Sequence, residues 1–132
     1  EIFIEEGFLF DVSPNTFQGL ESLESLVFQS TPLRAIPNLE GLQRLYLLRI
    51  DKSYVSDLAE RALNRAPALR FFHLTNSMLS HVHAGAFTGL SSLRLVNLTL
   101  NRLQMFHPRA FVLMDTVQEL ILSHNNITDL SK

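Results

Sequence analysis

The sequence predicts an α/β solenoid: a right-handed superhelix with a parallel β-sheet on the concave face, and loops, 3₁₀ turns and one short helix on the convex face. Three observations carry this expectation. In the stretch from Leu93 to Phe111, the residues Leu93, Val96, Leu98, Asn101, Leu103 and Phe106 stand at positions 1, 4, 6, 9, 11 and 14 of a unit, with Phe111 at position 19. The same slots are refilled along the chain from starts at residues 23, 45, 69, 93 and 117, giving periods of 22, 24, 24 and 24 residues. Self-similarity at a fixed period marks stacked units that share one core. Within each unit positions 4 and 6 are apolar while 3, 5 and 7 vary, as in a strand with one buried face.

The organisation that follows is a single domain over residues 1–132, made of a partial repeat 1–22, repeats 23–44, 45–68, 69–92 and 93–116, and a partial repeat 117–132. In the first unit Ile2 and Ile4 point inward and Pro14 leads to Phe17 and Leu20. Glu1, Glu5 and Glu6 make its edge acidic, which discourages edge-to-edge pairing. Repeat 23–44, with Leu23, Leu26, Phe28, Thr31, Leu33 and Ile36, is shortened on its return side, where Pro37 follows Ile36. Proline fixes φ and removes a donor, so an extended or 3₁₀-like segment and tighter local curvature are expected.

Repeat 45–68 carries Leu45, Leu48, Ile50, Ser53, Val55, Leu58 and Leu63 and is the source of the one expected helix, Leu58 to Arg65. Asp57 and Glu60 have the spacing of a capping box; Leu58, Ala62, Leu63 and Ala66 would be buried, and Pro67 would stop the helix. Repeats 69–92 (Leu69, Phe72, Leu74, Ser77, Leu79, Val82, Phe87) and 93–116 are the most regular. Ala86-Phe87 and Ala110-Phe111 match Thr16-Phe17 and predict a phenylalanine ladder in the convex core. Val117, Leu120, Leu122, Asn125, Ile127 and Leu130 open the last turn. Position 9 runs from Asn125 and Asn101, long enough to reach loop backbone groups, through Ser77, Ser53 and Thr31 to Gly7. Order held by this column should therefore fall toward the N-terminal side.

Composition sets further bounds. With 46% hydrophobic residues in 132, one continuous core can be buried. A net charge of −2 argues against a dedicated nucleic-acid or anionic-membrane binder. No apolar run approaches the roughly 20 residues that span a bilayer. There is no cysteine to close a disulfide-bonded cap, so the strand edges around Phe3 and Ile121 invite homo-association. A first residue at position 3 of a repeat suggests a piece excised from a longer protein.

The spacing resembles the extracellular leucine-rich repeat family, typical 24-residue class, with consensus LxxLxLxxNxLxxLxxxxFxxLxx. Members that look like this include Toll-type receptors, adhesion ectodomains, Slit-like guidance ligands and secreted arthropod proteins similar to the non-catalytic subunit of shrimp luciferin monooxygenase. The resemblance implies an extracellular module, secreted or part of a cell-surface ectodomain, that recognises a protein partner with its concave sheet. An alternative is a structural or non-catalytic subunit role through the open ends or the convex side.

On that face positions 3, 5 and 7 are expected to look outward. Position 3 carries Ser25, Leu47, Phe71, Leu95 and Glu119; position 5 carries Val27, Arg49, His73, Asn97 and Ile121; position 7 includes Asp51 and Thr75. Leu47, Phe71 and Leu95 form an apolar stripe beside Arg49, Arg70 and Arg94, with Tyr46 at position 2, and interfaces favour aromatic and arginine anchors. The candidate partner-binding set is therefore Tyr46, Leu47, Arg49, Asp51, Arg70, Phe71, His73, Thr75, Arg94 and Leu95. Two N-glycosylation sequons begin at Asn97 and Asn126. A glycan on Asn97 would cover the C-terminal side of the nominated surface.

Catalysis is not expected. Asp51, His73 and Thr75 superficially offer acid, base and hydroxyl, but an open sheet supplies neither an oxyanion hole nor a dry pocket. His81 and His83 flank inward-facing Val82, and His83 and His107 share position 15, yet the pattern places no carboxylate near them. Solvent-exposed histidines are expected there rather than a metal site, and no cofactor is implied.

Overall fold

A computed structural model describes residues 1–107, 109–112 and 114–128 of the protein. Its strands are β1 (Ile2–Glu5), β2 (Ser25–Gln29), β3 (Leu47–Asp51), β4 (Asp57–Leu58), β5 (Phe71–Thr75), β6 (His81–Val82), β7 (Leu95–Asn97) and β8 (Glu119–Ile121). Among the described residues β1, β2, β3, β5, β7 and β8 pair in that order into one parallel sheet, and β4 pairs with β6 in a second, two-stranded one. Each strand of the large sheet is one turn of the solenoid, so strands adjacent in space are adjacent in the repeat order.

The register follows the periodicity. Leu26, Leu48, Phe72, Val96 and Leu120, all at position 4, lie opposite one another on consecutive strands. The first four are fully buried with Phe28, Ile50, Leu74 and Leu98 from position 6, whereas Leu120 on the last described strand is 38% exposed. Positions 1 and 11 close the core through Leu45, Leu69, Leu93, Leu33, Val55, Leu79 and Leu103. Leu130, expected at position 14 of the last turn, lies outside the described residues.

Position 9 decides how far the strands run together. Asn101 donates from its amide to the carbonyls of Leu74 (2.7 Å) and Leu98 (3.0 Å), while its Oδ1 accepts from the Leu79 N–H at 3.1 Å. Asn125 repeats this with Leu98, Leu122 and Leu103. The asparagine amide thus occupies a carbonyl that sheet pairing would otherwise use, and β7 and β8 are three residues long. Where position 9 is Thr31, Ser53 or Ser77, the side chain is too short to intrude and β2, β3 and β5 pair over five residues. Ser53 and Ser77 bond to each other instead, Oγ to Oγ at 2.8 Å. Thr31 is wholly buried and its hydroxyl has no partner. The expected decline of this column toward the N-terminal side is present as a decline in its hydrogen bonds.

After each large strand the chain turns through a left-handed residue at position 8: Glu6, Ser30, Lys52, Asn76, Leu100 and His124, with φ between 48° and 58°. None is glycine, and nothing in the apolar pattern marks them.

The convex side departs from expectation. No helix forms over Leu58 to Arg65. Asp57–Leu58 is strand β4, and the residues after it are turns closed by bonds such as Ala62 N–H to Ala59 C=O and Asn64 N–H to Arg61 C=O. Arg61 is left-handed at φ 57°, at the same repeat position as left-handed Gly85, and a left-handed residue ends right-handed helix propagation. The Asp57 carboxylate is also turned away from the role of cap, toward His83. The 3₁₀-like i to i+3 bonds occur as isolated turns. The phenylalanine ladder is interrupted: Phe87 stacks on Phe111 with centroids 5.8 Å apart, but Leu63 takes the slot before them, and Phe17 packs edge-on against Phe28 at 6.5 Å. Leu39 and Leu42 fill the core of the shortened repeat, where the chain around buried Pro37 is irregular.

Candidate binding surface on the strand face

Pairing in register brings the position-3 side chains into one column: Ser25 against Leu47, Leu47 against Phe71, Phe71 against Leu95, Leu95 against Glu119. Leu47, Phe71 and Leu95 are half-buried rather than fully exposed. Tyr46 leans on Phe71 edge to face, centroids 6.4 Å apart and planes at 80°, a favourable aromatic geometry. Alternation alone does not keep the whole face open. Ser25, Val27 and Thr75 are buried, Val27 lying in register between the larger Phe3 and Arg49.

At the strand entrances, position 2 carries Glu24, Tyr46, Arg70, Arg94 and Gln118. Here the backbone is doubly tied. The Tyr46 carbonyl accepts from the N–H groups of Arg70 and Phe71, both at 2.9 Å, and the Arg70 carbonyl accepts from those of Arg94 (2.9 Å) and Leu95 (3.1 Å). Two open depressions line this rim. One, of about 440 Å³, is bordered by Arg44, Tyr46, Arg70 and Phe71; the other, of about 380 Å³, by Arg70, Arg94, Asp115 and Gln118. Arg70 belongs to both. Arg44 was not among the candidate residues, since it lies outside the strand template; its place just before Tyr46 at the strand entrance is the signal that could have found it.

Farther along the strands, Asp51 accepts from the Thr75 hydroxyl at 2.7 Å and from the Asn76 amide at 2.9 Å. His73 is half-buried in register between Arg49 and Asn97. Burial, and secondarily the Arg49 charge, hold its imidazole below the ordinary pKa of 6.5. The carboxylate is engaged by its hydroxyl and amide partners, so these residues do not line up as a relay. Asn97 Oδ1 accepts from the Thr99 N–H and hydroxyl, whereas Asn126 is exposed in a loop.

The histidine expectation needs a correction. Asp57 Oδ2 lies 2.9 Å from His83 Nε2, and Asp57 Oδ1 lies 3.9 Å from His81 Nδ1. A carboxylate is therefore at hand, brought there by pairing of β4 with β6 and missed because Asp57 read as a helix cap. His81, His83 and His107 line a convex depression of about 570 Å³ with Glu60, Met105 and Phe106. Among the described residues, no group of three or more such ligands is placed to hold a metal ion.

Residues 43–103 match the leucine rich repeat family model, a span that includes the apolar column Leu47, Phe71 and Leu95 together with Arg70 and Arg94. The fold is a leucine-rich repeat solenoid. Among solved structures it is similar to a chain of the TLR13–ssRNA13 complex, with a TM-score of 0.66 and 17% identity over 93% of this chain and 21% of that one. The leucine-rich repeat solenoid described here thus spans about a fifth of that neighbour. Such folds generally serve recognition rather than catalysis. No helix among the described residues is long and apolar enough to cross a membrane.

Proposed function

We propose that this solenoid is a non-enzymatic recognition module that takes a protein partner on its concave strand face in an extracellular setting. The observation that carries the reading is the column Leu47, Phe71 and Leu95: three half-exposed apolar side chains in direct register on β3, β5 and β7, beside Tyr46, Arg70 and Arg94. Contiguous apolar surface rimmed by arginine and tyrosine is the composition of interface centres. Arg49, Asp51 and His73 would border the contact, whereas Thr75 is buried with its hydroxyl on Asp51. The two sequons are consistent with a secretory route, with exposed Asn126 placed where a glycan leaves the strand face free.

The test is binding by the immobilised chain to cell-surface and secreted proteins, with any captured partner purified and its affinity measured. Phe71→Ala and Leu95→Ala should each weaken binding by about tenfold or more. Asn64→Ala, exposed on the convex side, should leave it unchanged. Equal affinity of all three variants overturns the strand-face assignment.

A further inference from the structure

We infer that the strand-entrance rim built by Tyr46, Arg70 and Arg94 receives an acidic segment of the protein partner, its carboxylates on the two guanidinium groups and an apolar residue of the same segment against Phe71. This deepens the strand-face reading and rests on it.

The first support is charge without a counter-charge. Arg70 and Arg94 occupy the same repeat position on consecutive turns, which sets their backbones about 4.8 Å apart. Both are exposed, and among the described residues neither has a carboxylate within 4.0 Å. Arg44 adds a third cation at the edge of the first depression and is likewise without such a partner among the described residues. The ion pairs that arginines do form lie elsewhere, Arg61 with Glu60 and Arg65 with Glu40. Two neighbouring guanidinium groups repel, and a carboxylate placed between them relieves that repulsion while accepting charge-assisted hydrogen bonds.

The second support is preorganisation. Because the position-2 carbonyls of Tyr46 and Arg70 each hold two N–H groups of the next strand, the cations project from backbone already fixed before binding. The backbone needs no further ordering, and only the exposed arginine side chains remain to be fixed on binding.

A peptide fits better than a continuous polyanion. Glu24 and Asp115 sit at the two ends of the same rim and Glu119 ends the position-3 column, so an extended phosphate backbone would meet negative charge on either side. The aromatic pair is also closed edge to face rather than open as a stacking platform for bases. A short acidic stretch flanked by apolar residues matches both the cations and Phe71.

The experiment titrates the folded chain, labelled for NMR, with a blocked peptide of glutamates interspersed with leucines. The comparison probes are its glutamine-for-glutamate counterpart and an oligouridylate. The glutamate peptide should shift the side-chain Nε–H signals of Arg70 and Arg94 and bind more weakly as salt is added. Arg70→Ala and Arg94→Ala should each reduce its affinity about tenfold while leaving the thermal midpoint unchanged, since both side chains are exposed and without an ion pair among the described residues. Equal binding of the glutamine peptide, binding of oligouridylate in preference to both peptides, or no glutamate-dependent binding at millimolar peptide overturns the inference. If Phe71→Ala weakens partner capture while Arg70→Ala and Arg94→Ala do not, the strand-face reading stands and the acidic segment is wrong.

Discussion

Two substitutions in one column should move stability in opposite directions. Thr31 is fully buried and its hydroxyl is unpartnered, so Thr31→Val keeps the branched shape and removes a desolvated polar group. An unmet hydrogen bond of this kind costs about 1 to 3 kcal/mol, and a gain of about 1 to 2 kcal/mol is expected. Ser77, two turns along, is the reverse case. Its Oγ accepts from the Ser53 N–H at 3.2 Å, pairs with Ser53 Oγ at 2.8 Å and donates to the Thr75 carbonyl at 2.9 Å. Ser77→Ala strands a buried N–H and leaves the Ser53 hydroxyl with only the Val55 N–H, at 3.3 Å. The expected loss is about 2 to 4 kcal/mol. Urea unfolding followed by far-ultraviolet circular dichroism reads both as shifts of the midpoint at constant slope. A lower midpoint for Thr31→Val, or shifts of the same sign in both variants, would refute this account of the column.

Two further outcomes follow from the backbone and the strand face. Leu100 is left-handed at φ 58° and 45% exposed, so Leu100→Asn loses little burial and relieves strain that branched or bulky residues suffer there. Its midpoint should rise by an amount equivalent to about 0.5 to 1 kcal/mol, and a fall would show that the side chain is needed for packing. His73 has a lowered pKa, so the unfolded chain takes up its proton first as pH drops. Its contribution is complete above about pH 6.5 and is lost as pH falls from there toward the depressed folded value, then levels off. His73→Gln should flatten that segment of the stability profile, and an unchanged profile would assign the titration elsewhere.

The repeat spacing sufficed for the strands of the large sheet, because a parallel stack buries positions 4 and 6 of every turn and tolerates no slip without turning Leu48 or Phe72 outward; it did not foresee β4 and β6. The apolar column Leu47, Phe71 and Leu95 follows from the same register. Features that depend on backbone handedness or on contacts across turns were not legible. Arg61 takes the left-handed place that Gly85 fills one turn later, and no side-chain pattern distinguishes it from a residue in a helix. Asp57 reads equally well as a cap and as a partner for His83; only the pairing of β4 with β6 decides. Val27 is concealed by larger neighbours on adjacent strands, a matter of size that alternation does not encode. Strand length was hidden as well, since an asparagine that bonds along the stack also removes a carbonyl from the sheet.

The left-handed residues at position 8 have a consequence for how the surface can vary. Glu6, Ser30, Lys52, Asn76, Leu100 and His124 share one backbone conformation yet span acid, base, amide, hydroxyl and hydrocarbon. Their conformation is imposed by the turn between sheet and loop, not chosen by the side chain. Each revolution of the solenoid therefore delivers one side chain of widely variable chemistry to the same rim, about 4.8 Å from the next, with a strain cost only for branched or bulky residues. The rim's charge and polarity can be rewritten one turn at a time while the leucines beneath stay as they are.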